Sequence, residues 1–174
     1  MMITGRFAFV TILFASAIAL GHAAQVTAQV AGQLPDAIAA KGEKVVLTVH
    51  AEGAQVYDCK AGDGGKLVWQ FREPVATLIQ DGKTIGRHYV GPTWEHADGS
   101  RVAGKPVGRA NGATAQDIPW LKLEAVEAHG AGALAGVTAI QRINTKGGQF
   151  EGACDKAGAT FAAPYAADYV FLRK

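Results

Sequence analysis

The chain has 174 residues, of which 49% are hydrophobic and 18% are charged, and its formal net charge is +2 at pH 7. This near-neutral balance, without any run of lysine or arginine, lacks the basic stripe that nucleic-acid binding requires, so nucleic acid is excluded as an expected partner. The length fits one domain with its own hydrophobic core.

Residues 1–23 have the layout of a secretory signal peptide. Arg6 precedes an apolar run over residues 7–20, and Gly21 and Ala23 place small residues where cleavage would occur. The apolar run is shorter than the roughly 20 residues that a membrane-spanning helix needs. We therefore expect an exported protein, periplasmic or secreted, with no membrane span after the signal is cleaved.

The rest of the chain divides into a lead-in over residues 24–43 and a single β-rich domain over residues 44–174. From Lys44 onward apolar residues recur with a period of two, as in strands that bury one face. The pattern predicts strands at 44–50, 54–60, 66–72, 75–80, 83–90, 101–109, 119–127, 136–144 and 166–172.

Turn signals separate these segments at short intervals, among them Asp81-Gly82, Asp98-Gly99 and Gly147-Gly148. Such spacing predicts an all-β fold, an antiparallel sandwich or barrel of about nine or ten short strands. Residues 117–128 fit a helix by composition and a strand by alternation, and we favour the strand.

The two cysteines, Cys59 and Cys154, are an even pair in a chain predicted to be exported, which favours a disulfide. A bridge closing a loop of this length stabilises the fold by about 4–5 kcal/mol in the chain-entropy model.

Polar and aromatic chemistry is concentrated between Ile85 and Val102. An aromatic ring stacks well against a sugar or an aromatic ligand, whereas a tryptophan is more often an anchor of a core than a ligand contact. Arg101 flanks this segment and, with Arg87, is placed to clamp an anion. We predict that a small molecule or glycan binds here, with a ligand-binding set of Arg87, His88, Tyr89, Trp94, Glu95, His96, Trp120 and Tyr165.

Two other functions stay open. The chain has no Gly-x-Ser-x-Gly elbow, no phosphate-binding Gly-Lys loop and no strand-linked Gly-x-Gly-x-x-Gly, so no catalytic residue and no cofactor is predicted. The first alternative is an enzyme that uses a His–carboxylate pair or a divalent metal, for which the candidate ligands are His88, Glu95, His96 and Asp98. The second is a structural or partner-binding envelope protein without a ligand.

Three segments carry a family resemblance: Gly-Arg-His-Tyr-Val-Gly-Pro-Thr-Trp-Glu at 86–95, the Val-Thr-Ala-Ile-Gln-Arg-Ile-Asn-Thr segment with its Gly-Gly at 137–148, and Pro-Tyr-Ala-Ala-Asp-Tyr at 164–169. Together they resemble a family of exported bacterial and fungal proteins that is catalogued as a domain of unknown function. The match follows nearly the whole mature chain in order. The resemblance implies a secreted β-rich domain with one disulfide, and it implies no activity.

Overall fold

The structure, a computed structural model, describes residues 34–174, so the predicted signal peptide lies outside the described residues. Eight antiparallel strands follow one another in chain order, and the last pairs with the first to close a barrel. This confirms the all-β prediction and decides for the barrel. The strands are β1 Lys44–Ala61, β2 Leu67–Gln80, β3 Lys83–Tyr89, β4 Thr93–His96, β5 Arg101–Ala110, β6 Trp120–His129, β7 Ala139–Gly147 and β8 Thr160–Arg173.

The division into strands differs from the sequence pattern in three places, β7 lies three residues later than predicted, and β8 begins six residues earlier. The segments predicted at 44–50 and 54–60 are one strand, β1, and those at 66–72 and 75–80 are one strand, β2. The four-residue β4 was missed, because so short a strand shows too few alternations to be recognised. Residues 120–129 form a strand, which confirms the choice made for the ambiguous 117–128 segment.

A register shift explains why β2 resembled two strands. Glu73 pairs with Val56, but the next residue of β1, Tyr57, pairs with Phe71, which leaves Arg72 as an extra residue. One extra residue reverses the inside–outside alternation of a strand. The apolar positions before and after Arg72 consequently share one face although their parity in the sequence differs.

Gly53 explains why β1 was divided. It lies in the middle of the strand, where a Cβ atom would come within 2.1 Å of the Val75 carbonyl oxygen on β2. The glycine therefore marks a close approach of two strands and not a break. The Asp81-Gly82 signal, by contrast, is a true turn, since both residues have positive φ, at 50° and 72°.

Side chains fill the barrel interior. They come from every strand, with His88 and, at the margin, Ile85 on β3, and from the segments that cover the barrel ends. The largest buried residues of this core include Trp94, Tyr169, Phe171, Leu78, Leu123 and Ile140. An eight-stranded barrel is just wide enough for side chains to fill it, and this one follows that rule.

Residues 34–43 pack on the outer surface of the barrel. Ile38, in a 3-10 turn over Asp36–Ile38, is fully buried against Ile143, Val170 and other residues of β7 and β8. Lys122 donates from Nζ to the Ala39 carbonyl oxygen at 3.0 Å and pairs with Glu43 at 2.6 Å. The part of the lead-in that the structure describes is thereby fixed to the barrel.

One end of the barrel is closed by an aromatic cluster, which we name the aromatic mouth. Cys59 and Cys154 form the predicted disulfide and tie the segment after β7 to β1. The aromatic mouth consists of Tyr57, Trp69, Phe71, Phe150 and Phe161. Their rings pack edge-on, tilted or stacked at centroid distances from 4.1 to 6.0 Å. Of the described residues, no helix is long and apolar enough to cross a membrane.

Candidate functional site

The segment predicted to hold the site forms β3, a turn through the cis Gly91-Pro92 bond, β4 and the start of β5. Successive side chains of a strand point to opposite faces of the sheet. His88 and Trp94 are paired across the two strands and are buried, at 2% and 1% exposure. Arg87, Glu95 and Tyr89 occupy the alternate positions on the outer surface. The segment is therefore divided between two environments.

On the inside, His88 stacks on Trp94 with the ring centroids 4.5 Å apart and the planes within 9° of each other. Its Nδ1 lies 2.8 Å from the Thr93 carbonyl oxygen, which makes Nδ1–H the donor in the neutral imidazole. Burial lowers the pKa of His88 to about 3, and the positive charge of Arg142 acts in the same direction. His88 is thus a neutral core residue at physiological pH.

Tyr165 and Tyr169 continue this inner cluster along β8. Their hydroxyl oxygens are 3.3 Å apart, and the Tyr169 ring meets Trp94 edge-on at 5.2 Å. Burial raises the pKa of both tyrosines, so both stay protonated. Arg142 lies across from Tyr169 on β7 and donates from Nε and Nη2 to the Pro119 carbonyl oxygen at 3.1 and 2.9 Å.

On the outside, the strand register assembles two rows of side chains. The first row crosses β3 to β6 through Arg87, Glu95, Arg101 and His129. The second crosses the same strands through Tyr89, Thr93, Ala103 and Glu127. We name these eight residues the outer face. Only the register of β6 brings Glu127 and His129 next to the segment predicted from sequence.

A depression of about 160 Å³ lies within the outer face. The small side chains of Thr93 and Ala103 lie between larger ones in the second row, so they form its floor. Tyr89, Arg101, Glu127 and His129 form its walls. The wall combines one aromatic ring with groups that donate and groups that accept hydrogen bonds.

An ion pair and a phenol hold the edge of this depression. Arg87 donates from Nη2 to both carboxylate oxygens of Glu95, at 3.1 and 3.0 Å, and its guanidinium carbon lies 5.1 Å from the Tyr89 ring centroid. The Tyr89 hydroxyl donates to Glu95 at 2.9 Å. These hydrogen bonds lower the pKa of Glu95, whereas partial burial and the neighbouring carboxylate raise the pKa of Tyr89. Glu95 therefore stays ionised and holds Tyr89 in place.

The turn after β4 uses its polar residues for structure. Asp98 accepts hydrogen bonds from the hydroxyl and backbone N–H of Ser100 and from the backbone N–H of Ala133, which hold the pKa of its carboxyl well below the usual range. His96 lies beside it, with Nδ1 2.9 Å from the Asp98 carboxylate. This turn fastens the segment that follows β6 to the barrel.

The remaining predicted site residues are not gathered at the outer face. Tyr165 lies in the inner cluster, and Trp120 packs with the second core beneath residues 34–43. The metal candidates are separated as well, because His88 faces inward and Glu95 faces outward. Within residues 34–174 no three His, Cys, Asp or Glu side chains are grouped as metal ligands.

A larger hollow of about 470 Å³ lies among the loops at the end of β5. Of the described residues that line it, none is aromatic. Asp117, one of its acidic side chains, accepts from Thr114 at 2.9 Å and from the Gly147 N–H at 2.7 Å, so it braces the loops. We name this the loop hollow; Arg109, Asn111, Thr114, Asp117, Gln149 and Glu151 are among its lining residues.

Comparison with known proteins adds a family. The sequence model of the family described as a protein of unknown function, DUF3455, matches residues 39–173. The chain belongs to the DUF3455 family. No curated protein and no solved structure matches it. The matched range includes all eight strands of this DUF3455 domain together with both faces of the β3–β4 hairpin.

Several residues of the two clusters were missed by the sequence argument. Glu127 and His129 lie about 25 residues beyond the predicted segment, the first within the stretch whose secondary structure was ambiguous and the second just after it. Arg142 and Tyr169 were quoted only as parts of family motifs. Placing any of them requires the pairing register of β6, β7 and β8, which local alternation does not supply. The one signal available for Arg142 was its position, because alternation along β7 places this charged residue on the same, inward face as Ile140.

Proposed function

We propose that this DUF3455 domain is an exported binding module that holds a small polyhydroxy molecule, such as one unit of a glycan, without covalent chemistry. The observation that carries the proposal is the depression of the outer face, with its small floor and its aromatic and polar walls. Export is supported by the disulfide, which is typical of oxidising compartments, and by the composition of residues 1–23.

The wall chemistry favours a neutral polyhydroxy ligand over an ion. Arg101 donates hydrogen bonds and Glu127 accepts them, so adjacent hydroxyl groups find both kinds of partner. Tyr89 offers a ring against which the apolar face of a sugar packs. A pure anion or cation would meet a like charge as well as an opposite one.

The size of the depression limits the ligand and its affinity. At about 160 Å³ it is smaller than the roughly 300–1,000 Å³ of sites for drug-sized molecules. One sugar ring of about twelve heavy atoms, at roughly 0.3 kcal/mol per atom, gives about 4 kcal/mol, which corresponds to a Kd near millimolar. Tighter binding would require a longer glycan that also contacts neighbouring surface.

The other two functions have less support. An enzyme using His88 with Glu95 would need both groups on one side of the sheet, whereas one faces the core and the other faces outward. His96 does lie beside Asp98 and His129 beside Glu127, but Asp98 already accepts three hydrogen bonds that hold its turn, and both side chains of the second pair are exposed. A purely structural protein gives no reason for a depression lined by an arginine, a tyrosine and a carboxylate. The loop hollow is the rival location, and the test below separates it from the outer face.

The test compares two arginines of β5. A panel of neutral sugars and short oligosaccharides is titrated into the wild type, Tyr89→Ala, Arg101→Ala and the matched control Arg109→Ala, which lines the loop hollow instead. We expect Tyr89→Ala to abolish binding, Arg101→Ala to weaken it several-fold and Arg109→Ala to leave it unchanged. Binding that is lost only in Arg109→Ala, or no binding of any sugar in the panel, would overturn the proposal.

A further inference from the structure

We propose that the interior of the barrel binds one small monovalent anion, such as chloride or formate, among hydrogen-bond donors supplied by β1, β4, β7 and β8. We name these residues the donor cluster: Gln55, Trp94, Arg142, Tyr165 and Tyr169. The site is separate from the outer face, and nothing in the sugar-binding proposal depends on it.

Two buried donors of the cluster lack a partner among the described residues. Gln55 Nε2 and Trp94 Nε1 make no hydrogen bond, and the two residues are 2% and 1% exposed. Trp94 faces the Tyr169 hydroxyl and Gln55 faces that of Tyr165, close enough to oppose the rise that burial causes in the pKa of each phenol, but without the geometry of a hydrogen bond. Buried unpaired donors are rare in folded proteins and commonly mark a bound water or ion.

Arg142 adds a positive charge that is not neutralised nearby. Within residues 34–174 its guanidinium has no carboxylate within 4.0 Å, and the hydrogen bonds of Nε and Nη2 go to one carbonyl oxygen, that of Pro119. Its charge reaches Tyr165, Tyr169 and His88, because it lowers the pKa of each. A half-buried cation of this kind is stabilised by a counter-ion.

The other titratable groups of the cluster supply no negative charge. Burial keeps both tyrosines protonated and His88 neutral, with the Nδ1–H of His88 already given to Thr93. The indole, the amide nitrogen and the guanidinium only donate, so the donors outnumber the acceptors of the cluster, which are the two phenol oxygens and the amide oxygen of Gln55. A water molecule would bring two more donors, whereas an anion only accepts.

Packing sets the size of the anion, and one side of the cluster suggests its route. Leu123, Ile140 and Phe171 fill the interior next to the aromatic stack, so an anion held by the donor cluster has to be small. Pro119, whose carbonyl oxygen holds Arg142, also lines the loop hollow, so the guanidinium lies next to a solvent-accessible depression.

Bromide quenching of tryptophan fluorescence tests the site, since a heavy anion quenches an indole that it touches. In wild type, at constant ionic strength, we expect a saturable component that chloride and formate displace and sulfate does not, over a linear collisional component. Trp94→Phe removes one N–H and the reporting indole, and Arg142→Gln removes the charge. Both variants should lose the saturable component and show only linear quenching.

Arg109→Gln is the matched control for the loss of one arginine and should keep the saturable component. Tyr169→Phe provides a second test if Arg142→Gln does not fold, and it should weaken bromide binding several-fold. The proposal is overturned if wild type shows linear quenching only, or if the saturable component persists in Trp94→Phe or at unchanged affinity in Tyr169→Phe. Chloride that binds the folded protein should also raise the thermal midpoint of unfolding. This rise should saturate over the chloride concentrations that displace bromide, and that result would support the proposal.

Discussion

The inner and outer sides of the β3–β4 hairpin are built from alternate residues of one sequence and have opposite properties. His88 is 2% exposed, while its neighbour Arg87 carries a side chain that is 67% exposed. Inside, burial removes the charge of an imidazole; outside, an arginine and a glutamate keep theirs and hold a tyrosine. The comparison teaches that residues clustered in a sequence are divided in space when they lie on strands, here between an apolar core and a polar outer surface.

The largest expected effect is on folding, from Trp94 on the inner side. Its indole is stacked on His88 and meets Tyr169 and Phe171 edge-on, at 5.2 and 6.2 Å. Trp94→Ala should lower the free energy of unfolding by about 3–5 kcal/mol, as large-to-small changes in cores do. Tyr89→Ala, the matched aromatic on the outer side, should cost about 1 kcal/mol or less.

Denaturant unfolding of both variants at neutral pH measures this difference. Equal losses of stability would mean that the outer face also contributes to the core, and that the division between the two sides is wrong.

The next effect is a pH dependence that comes from the inner side. The pKa of His88 is lowered from 6.5 to about 3 in the folded protein, so between these values the unfolded chain binds one more proton than the folded chain. Its contribution to stability is complete above pH 6.5 and is lost as the pH falls toward 3, at up to about 1.4 kcal/mol per pH unit. The lowered pKa values of Asp98, Asp117 and Glu95 add a loss only nearer pH 4.

His88→Phe isolates this term, because it keeps an aromatic ring and removes the titration. Between pH 6.5 and 4.5 the free energy of unfolding of His88→Phe should fall less steeply with decreasing pH than that of wild type, and the difference in slope should correspond to up to one proton. Parallel curves for the two proteins would show that folding does not lower the pKa of His88.

The smallest expected effect is that of the outer ion pair on stability. Arg87→Gln breaks a contact between side chains that are 67% and 27% exposed, and such surface pairs contribute roughly 0.2–1 kcal/mol, less at high salt. The pKa of Glu95 should move up toward its ordinary value, which NMR titration of the carboxyl group measures. A stability loss near that of Trp94→Ala would contradict the assignment of this pair to the surface.

Much of the fold could be predicted from local sequence. Alternation revealed most strands, Asp81-Gly82 marked a tight turn, and two cysteines in a chain with a leader-like start indicated their bridge. Two of the errors came from non-local causes: Gly53 marks a close approach to β2, and the extra Arg72 reverses alternation within one strand. Neither the closure of β8 on β1 nor either of these contacts leaves a local pattern.

Local sequence predicted which segment carries the candidate site, but not which side of the sheet each of its side chains faces. Tyr89, Arg87 and Glu95 do meet on one face, as expected from their proximity in the sequence. His88 and Trp94 went to the core because alternation separated them from their neighbours. Glu127 and His129 joined the outer face through the pairing of β5 with β6, and pairing between strands depends on the whole barrel.

The most direct test is a map of backbone amide shifts by NMR during titration with a neutral sugar. The account predicts that the amides which move are those of Tyr89, Thr93, Arg101, Ala103, Glu127 and His129, while those of the donor cluster and the loop hollow stay fixed. Shifts confined to Arg109, Asn111, Thr114 and Gln149, or to the interior around Trp94 and Tyr169, would contradict the claim that the outer face is the binding side of this domain.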